Sequence, residues 1–435
     1  MNRLLHAAYA ATGHLARMIA SVVPVGDGKI RSSFALRRGV EARFAAWGRV
    51  GRDRARPLLW MHAPSVGEGL QARPVLESLR ELHADIQLAY TYYSPSARSF
   101  AGTLPVDFRE ILPFDTRGSS RAALAALAPD ALVFSKLDVW PTLVEEASAL
   151  GVGLALISAT LSPQSSRLKG FGPALLRDAY ARLDAVGAIS ADDAERLTAL
   201  GCRPQSIEVT GDTRYDQVWT RARSADADGS IVAPLRSPHP TLVAGSTWPA
   251  DLRHLLPAIL RAHAVAPGLR CIIAPHEPDA DSIARLETWA SSSGLEARRL
   301  THPFARDADV IIVDKLGVLG DLYGLADFAF VGGGFHAAGV HSVLEPAAFG
   351  APVAFGPMHA NSRDAGLLER EGGGAGVTDA TTLGAVFSRW LADPAARTDA
   401  GHRARALVER GTGATRRTVA LVERLLEARV RQRRT

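Results

Sequence analysis

Residues 60–76 read WMHAPSVGEGLQARPVL. An apolar run stops at the histidine, a small polar loop follows, and a helical pattern begins. One glutamate, Glu68, stands between Gly67 and Gly69 where a buried strand would hand over to a helix. The same alternation extends outward. PLLWMHAPS (57–65), IQLAYTYYS (86–94), ALVFSK (131–136), GLALISA (153–159), AVGAIS (185–190) and SIEVTG (206–211) are separated by helix-period stretches such as LQARPVLESLRELH. Strands alternating with helices predict βαβ units and a parallel sheet.

The pattern lapses over residues 216–240, where small, charged and proline residues predict a linker. A second series follows: TLVAGST (241–247), RCIIAPH (270–276), DVIIVD (309–314), FAFVGGG (328–334) and PVAFGP (352–357). The expected organisation has five parts. Residues 1–50 form an amphipathic, basic, membrane-associating segment. Residues 51–215 form a first Rossmann-like domain and 216–240 the linker. Residues 241–411 form a second Rossmann-like domain, and 412–435 a helix packing back on the first. The fold class is α/β: two doubly wound domains facing a central cleft, with ligands beyond the carboxyl ends of the strands.

At 435 residues the chain exceeds one core, and 47% hydrophobic residues exclude a disordered protein. Two cysteines, Cys202 and Cys271, cannot build a disulfide framework and suit a reducing compartment. Cys271, in the apolar run RCIIAP, is expected to be a buried thiol. Basic charge gathers at the ends. Residues 28–56 hold nine Lys/Arg against Glu41 and Asp53, and residues 401–435 hold ten Arg against three Glu. Such ends meet phosphate or an anionic surface, or merely keep the chain soluble. The stretch LLHAAYAATGHLARMIASVVPVG is interrupted by His6, His14 and Arg17, so it fits an interfacial helix better than a spanning one. Arg31, Arg37, Arg38 and Arg43 behind it would face an anionic membrane.

The motifs fall at strand ends. Glu68 lies in the first turn of a helix, where the helix dipole alone favours an acid; the flanking glycines allow close ligand approach. Ser246 and Thr247 follow one strand of the second series, and His276 and Glu277 follow the next. Gly332, Gly333 and Gly334 end a third strand, before SVLEPAAFG opens a helix. Backbone amides there would make a phosphate site, and Glu345 would bind ribose hydroxyls. A bare glycine cluster also serves a tight turn without any ligand. His336 and His341 lack a metal-site spacing, so no metal is expected. No P-loop or nucleophile-elbow pattern occurs.

The ordered set HAPSVGEGLQARPV, YSPS, GDTRYD, VAGSTW, APHEPD, DLYGLADFAFVGGGF and HSVLEPAAFGAPVAFGP, over residues 57–360, resembles the 3-deoxy-D-manno-octulosonic acid (Kdo) transferases of lipopolysaccharide synthesis. The resemblance implies a glycosyltransferase of the GT-B fold, without a cofactor or a nucleic-acid partner. Its donor would be CMP-Kdo. Its acceptor would be a phosphorylated, acylated lipid A precursor at the cytoplasmic face of the inner membrane. It makes Glu68 the catalytic acid-base residue and puts the nucleotide at Ser246, Thr247, His276, Gly332, Gly333, Gly334, Ser342 and Glu345. Lys136 could meet a negative group of donor or acceptor, as could Arg73, one turn beyond Glu68. Four positions depart from the family pattern. Asp138 stands two residues before Trp140 where a glutamate is usual. Val318 replaces an acid and Ser342 an asparagine, and no basic residue precedes His276. One carboxylate base without a second carboxylate nucleophile fits single displacement with inversion. The alternatives are a GT-B transferase or epimerase using a UDP-sugar, or a nucleotide-binding protein without chemistry. The first would prefer UDP to CMP, and the second would bind without turnover.

Overall fold

The computed structural model describes residues 3–22, 28–225, 229, 231–360 and 362–434. Part of the expected linker (226–228 and 230) and part of the N-terminal segment (1–2 and 23–27) lie outside these. The chain divides into two compact units, Met1–Asp216 with Thr412–Thr435, and Gln217–Gly411.

The first unit carries seven parallel strands: β1 Leu58–His62, β2 Gln87–Tyr92, β3 Phe108–Ile111, β4 Ala131–Ser135, β5 Gly153–Ala159, β6 Ala185–Ala188 and β7 Ile207–Val209. Their order is β3-β2-β1-β4-β5-β6-β7. Chain order reverses between β1 and β4, which pair directly, with Met61 opposite Val133. Helices cover both faces, so β1, β2, β4 and β5 are buried along their whole length. Trp60, Met61, Tyr90 and Phe134 fill the core.

The second unit repeats the design with β8 Thr241–Thr247, β9 Arg270–Pro275, β10 Ala297–Arg299, β11 Val310–Ile312, β12 Phe328–Val331, β13 Val353–Phe355 and β14 Gly374–Gly376. All are parallel, in the order β10-β11-β9-β8-β12-β13-β14. The reversal here lies between β8 and β12. Cys271 is fully buried in β9, and neither cysteine is bridged.

The C-terminal helix Ala414–Arg434 belongs to the first unit. It lies on β4, β5, β6 and the helix Val66–Leu82. Val419, Leu421, Val422, Leu425 and Leu426 are buried there, each contributing about 1.5–3 kcal/mol. Its N-terminus is fixed by the GDTRYD stretch: Asp216 accepts the backbone N–H of Gly413 (2.5 Å) and Thr415 (2.6 Å). Within the same stretch Asp212 holds Arg214 at 2.9 and 2.6 Å, and the Thr213 hydroxyl donates to Gln71 O at 2.7 Å. That motif is structural. The start of the expected linker is helical instead, because residues Thr213–Ser224 form a helix. Trp219 within it packs beneath the Arg405 guanidinium (5.2 Å), the burial that small, polar composition did not advertise.

Candidate active site

In the first unit the site grows from the β1/β4 reversal. β1 ends at His62, and Ser65 precedes the helix Val66–Leu82, placing Glu68 in its first turn. β4 ends at Ser135, and Lys136 follows with φ +70°. A non-glycine residue in that left-handed region costs about 1–2 kcal/mol. The strained turn carries Lys136 back toward the helix, where its ammonium lies 3.3 Å from Glu68 Oε1. The Ser65 hydroxyl donates to Glu68 Oε2, and the Ser135 hydroxyl donates to Glu68 backbone O at 3.0 Å. Burial would push the Glu68 carboxyl up. The Ser65 hydrogen bond and the Lys136 charge outweigh it and hold the group below the usual carboxylate range.

The two glycines around Glu68 differ. A Cβ on Gly69 would lie 2.4 Å from Phe100 Cε1 and 2.8 Å from Tyr90 Oη, so packing forbids one. A Cβ on Gly67 would meet only Ser65 Oγ, at 3.7 Å. Nothing in the fold requires Gly67, and the surface beside Glu68 stays open.

At the end of β1 is a hydrogen-bonded aromatic layer. The Trp140 indole donates to His62 Nε2 (3.2 Å), so the neutral ring carries its proton on Nδ1 and donates to Thr91 Oγ1 (3.0 Å). The Trp60 indole also donates to Thr91 Oγ1 (2.8 Å). Asp138 Oδ2 lies 3.5 Å from His62 Nε2. Sequence reasoning passed over His62, Ser65, Ser135 and Thr91. His62 and Ser135 end their strands, and that position was the available signal. Arg73 is turned elsewhere: it stacks over Phe100 (4.6 Å) and donates to Thr103 (2.7 Å).

In the second unit Ser246 follows the same logic. It sits at the end of β8 with φ +54°. The Thr247 hydroxyl instead turns inward to Ala274 O (3.5 Å), and Thr247 is 2% exposed. Gly332–Gly334 form the β12 turn, and close packing explains all three. Added Cβ atoms would lie 2.3 Å from Ser246 O, 2.3 Å from Gly339 O and 2.5 Å from Gly356 N. The expected row of vacant amides is a correction. Gly332 N–H bonds Gly245 O (2.9 Å), and Gly333 N–H bonds the buried carboxylate of Asp251 (2.7 Å). Asp251 also accepts from Phe335 N (3.0 Å) and Trp248 N (2.8 Å). This acid went unnoticed in the sequence, although an acid three residues after a helix cap is a capping signature.

Trp248 organises the histidines. His276 and His336 stack on it at 4.3 and 4.4 Å, and its indole donates to His341 Nε2 (2.9 Å). Burial first, then the neighbouring His276, holds His341 below the usual imidazole range. Ser342 is exposed. SVLEPAAFG opens only a five-residue helix, Leu344–Ala348, a second correction to the expected phosphate site. Burial pushes Glu345 above the usual carboxylate range, and Arg221 partly offsets it. Val318, where the resemblance expects an acid, is buried in an apolar cluster with Leu322 and Tyr323.

The basic N-terminal segment also differs from expectation. Arg37 is 3% exposed, lies 4.2 Å over the Tyr93 ring and donates to Leu112 O; burial pushes it down to about 10. Arg43 is paired with Glu110, and Arg38 donates to Ala20 O (3.0 Å). Arg31 is exposed. Arg37, Arg38 and Arg43 fasten helices more than they offer free charge. No helix among the described residues is long and apolar enough to cross a membrane.

Comparison with known proteins fits this arrangement. Residues 38–217 match the family model described as 3-deoxy-D-manno-octulosonic-acid transferase (kdotransferase). The 3-deoxy-D-manno-octulosonic acid transferase of Bordetella pertussis is 32% identical over 393 residues, covering 87% of this chain and 90% of the relative. The chain belongs to this family. It is a glycosyltransferase, and the Kdo transferase of Chlamydophila psittaci is a further relative, 31% identical with 72% of each chain covered. Solved structures show the GT-B fold. The UDP-GlcNAc 2-epimerase of Neisseria meningitidis bound to UDP-GlcNAc matches with a TM-score of 0.62 at 13% identity, covering 85% of this chain and 100% of the other. That of Methanocaldococcus jannaschii matches with a TM-score of 0.54 at 14% identity, covering 81% and 98%. At such identities the likeness is one of fold alone, so it lends no weight to a UDP-sugar donor.

Proposed function

We propose that this Kdo transferase moves Kdo from CMP-Kdo to a phosphorylated lipid A precursor, with Glu68 as general base and inversion at the anomeric carbon. The observation that carries the role of Glu68 is its carboxylate at the β1/β4 reversal, kept ionised by Ser65 and Lys136. An acceptor hydroxyl becomes strongly acidic only as the new C–O bond forms. A carboxylate of depressed pKa can therefore take that proton late, provided it is ionised beforehand. Lys136 has two uses: it holds Glu68 ionised, and its half-exposed ammonium offers a contact to an acceptor phosphate. The bond to the CMP phosphate breaks as the bond to the acceptor oxygen forms, and a single displacement inverts the centre.

In the second unit Ser246, His276, Gly334, Ser342 and Glu345 would hold the CMP moiety. Gly332, Gly333 and Thr247 would shape the backbone beneath it, since their polar groups already have partners in the fold. We place the enzyme at the cytoplasmic face of the inner membrane, with the exposed apolar side chains Leu15, Met18 and Ile19 supporting contact with lipid.

The test is turnover. Purified protein would meet CMP-Kdo, generated in place, and a tetraacylated lipid A precursor, and mass spectrometry would count the sugars added. Kdo-bearing product is expected. Absence of product, with stabilisation by UDP but not by CMP, would return the UDP-sugar reading.

A further inference from the structure

A cavity of about 570 Å³ opens in the first unit beside the strand ends, a size that suits a small-molecule site. Its walls are Ala16 of the helix Arg3–Val22, Ile30 and Phe34 of the helix Lys29–Arg37, and Tyr93, Phe114 and Trp140 beyond β2, β3 and β4. Most polar groups in this wall are already used. The Tyr9 hydroxyl donates to Asp115 (2.7 Å), and Asp115 also accepts from Thr142 N (3.0 Å) and Leu143 N (2.8 Å). The Thr12 hydroxyl donates to Tyr9 O at 2.7 Å. Arg37 donates to Ser33. A polar ligand would find little to bind here, whereas an apolar one would lose nothing by entering.

Two features say which apolar ligand. Leu15, Met18, Ile19 and Ile30, on the two helices that wall the cavity, expose 57, 68, 40 and 71% of their surface, so the apolar character continues outward. Inward, Tyr93 stacks on Trp140 (5.0 Å), and Trp140 bonds His62, the last residue of β1. Glu68 follows from that same strand. The cavity and the carboxylate therefore both lie beyond the carboxyl ends of neighbouring strands of one sheet, and a ligand with a sugar head and an apolar tail would span them.

We propose that this cavity binds an acyl chain of the acceptor and so positions the sugar hydroxyl at Glu68. The inference rests on the lipid-acceptor reading above. It makes acylation a determinant of specificity and gives the N-terminal helices a role in substrate selection.

The experiment compares two acceptors, the tetraacylated precursor and the same phosphorylated disaccharide without acyl chains. The wild type is expected to favour the acylated one by at least about tenfold in kcat/KM. Ala16→Trp, which fills the cavity, should bring that ratio toward one. A second measurement does not depend on turnover or on the variant's folding. The fluorescent fatty acid cis-parinaric acid should bind the wild type and be displaced by the acylated precursor but not by the acyl-free disaccharide. Equal kcat/KM on both acceptors, with turnover intact, overturns the acyl site and leaves the transferase standing. If neither acceptor reacts, the lipid-acceptor reading fails, and displacement alone decides the cavity. Failure of the acylated precursor to displace the probe overturns the proposal.

Discussion

Replacing Gly67 and Gly69 by alanine, one at a time, separates packing from ligand access within a single helical turn. Both residues lie in the helix Val66–Leu82, where alanine is worth about 0.5–1 kcal/mol over glycine. At Gly69 the new methyl would press on Phe100 Cε1 at 2.4 Å and Tyr90 Oη at 2.8 Å. Overpacking of that kind costs about 1–3 kcal/mol, so the net loss should be roughly 1–2 kcal/mol. At Gly67 the nearest atom is Ser65 Oγ at 3.7 Å, an ordinary contact. Gly67→Ala should therefore leave stability unchanged or gain up to about 1 kcal/mol. Urea denaturation reads both numbers. Turnover should order the pair differently. If Gly67 is small because a substrate passes beside Glu68, its variant should stay folded and lose about tenfold or more in kcat/KM. Equal destabilisation by the two variants would refute the packing argument. A fully active Gly67→Ala would refute the access argument.

Other expectations follow from the same geometry. Lys136 favours the charged form of Glu68, so Lys136→Met should raise that carboxyl's pKa and move the acid limb of kcat/KM to higher pH; an unmoved limb would dissociate Lys136 from Glu68. The depressed carboxyl also contributes stability present above its unfolded value and lost as pH falls through its folded value, so the same variant should lose stability at neutral pH and not in strong acid. Leu425→Ala removes a buried side chain from the C-terminal helix and should cost about 2–5 kcal/mol in unfolding free energy, read in urea. Gly333→Ala combines φ +90° with a Cβ 2.3 Å from Gly339 O. It should cost at least about 1–3 kcal/mol and reduce thermal stabilisation by CMP.

The α/β architecture was legible because buried parallel strands are continuous apolar runs, and thirteen residues such as IQLAYTYYSPSAR carry both the strand and its exit. The strand-end placement of Glu68, Lys136 and Ser246 followed from the same periodicity. Other features depended on partners distant in sequence. Asp251 fills the glycine turn from 82 residues away, and Thr91 meets His62 across 29. No local pattern announces such pairs. Arginine spacing likewise looked like a basic surface, yet Arg37 is buried against Tyr93 and Arg43 is paired with Glu110, because side-chain direction is set by tertiary packing. The glycine cluster invited a phosphate reading, yet close backbone crossings alone demand it, since an added Cβ would lie only 2.3–2.5 Å from neighbouring backbone atoms.

The most direct test of the central claim compares the wild type with Glu68→Ala, using CMP-Kdo and the acylated precursor, alongside thermal shift with CMP. The account predicts a fall of about 10²–10⁴-fold in kcat for the variant, with stabilisation by CMP intact. Wild-type turnover by Glu68→Ala would contradict it and remove Glu68 as the base.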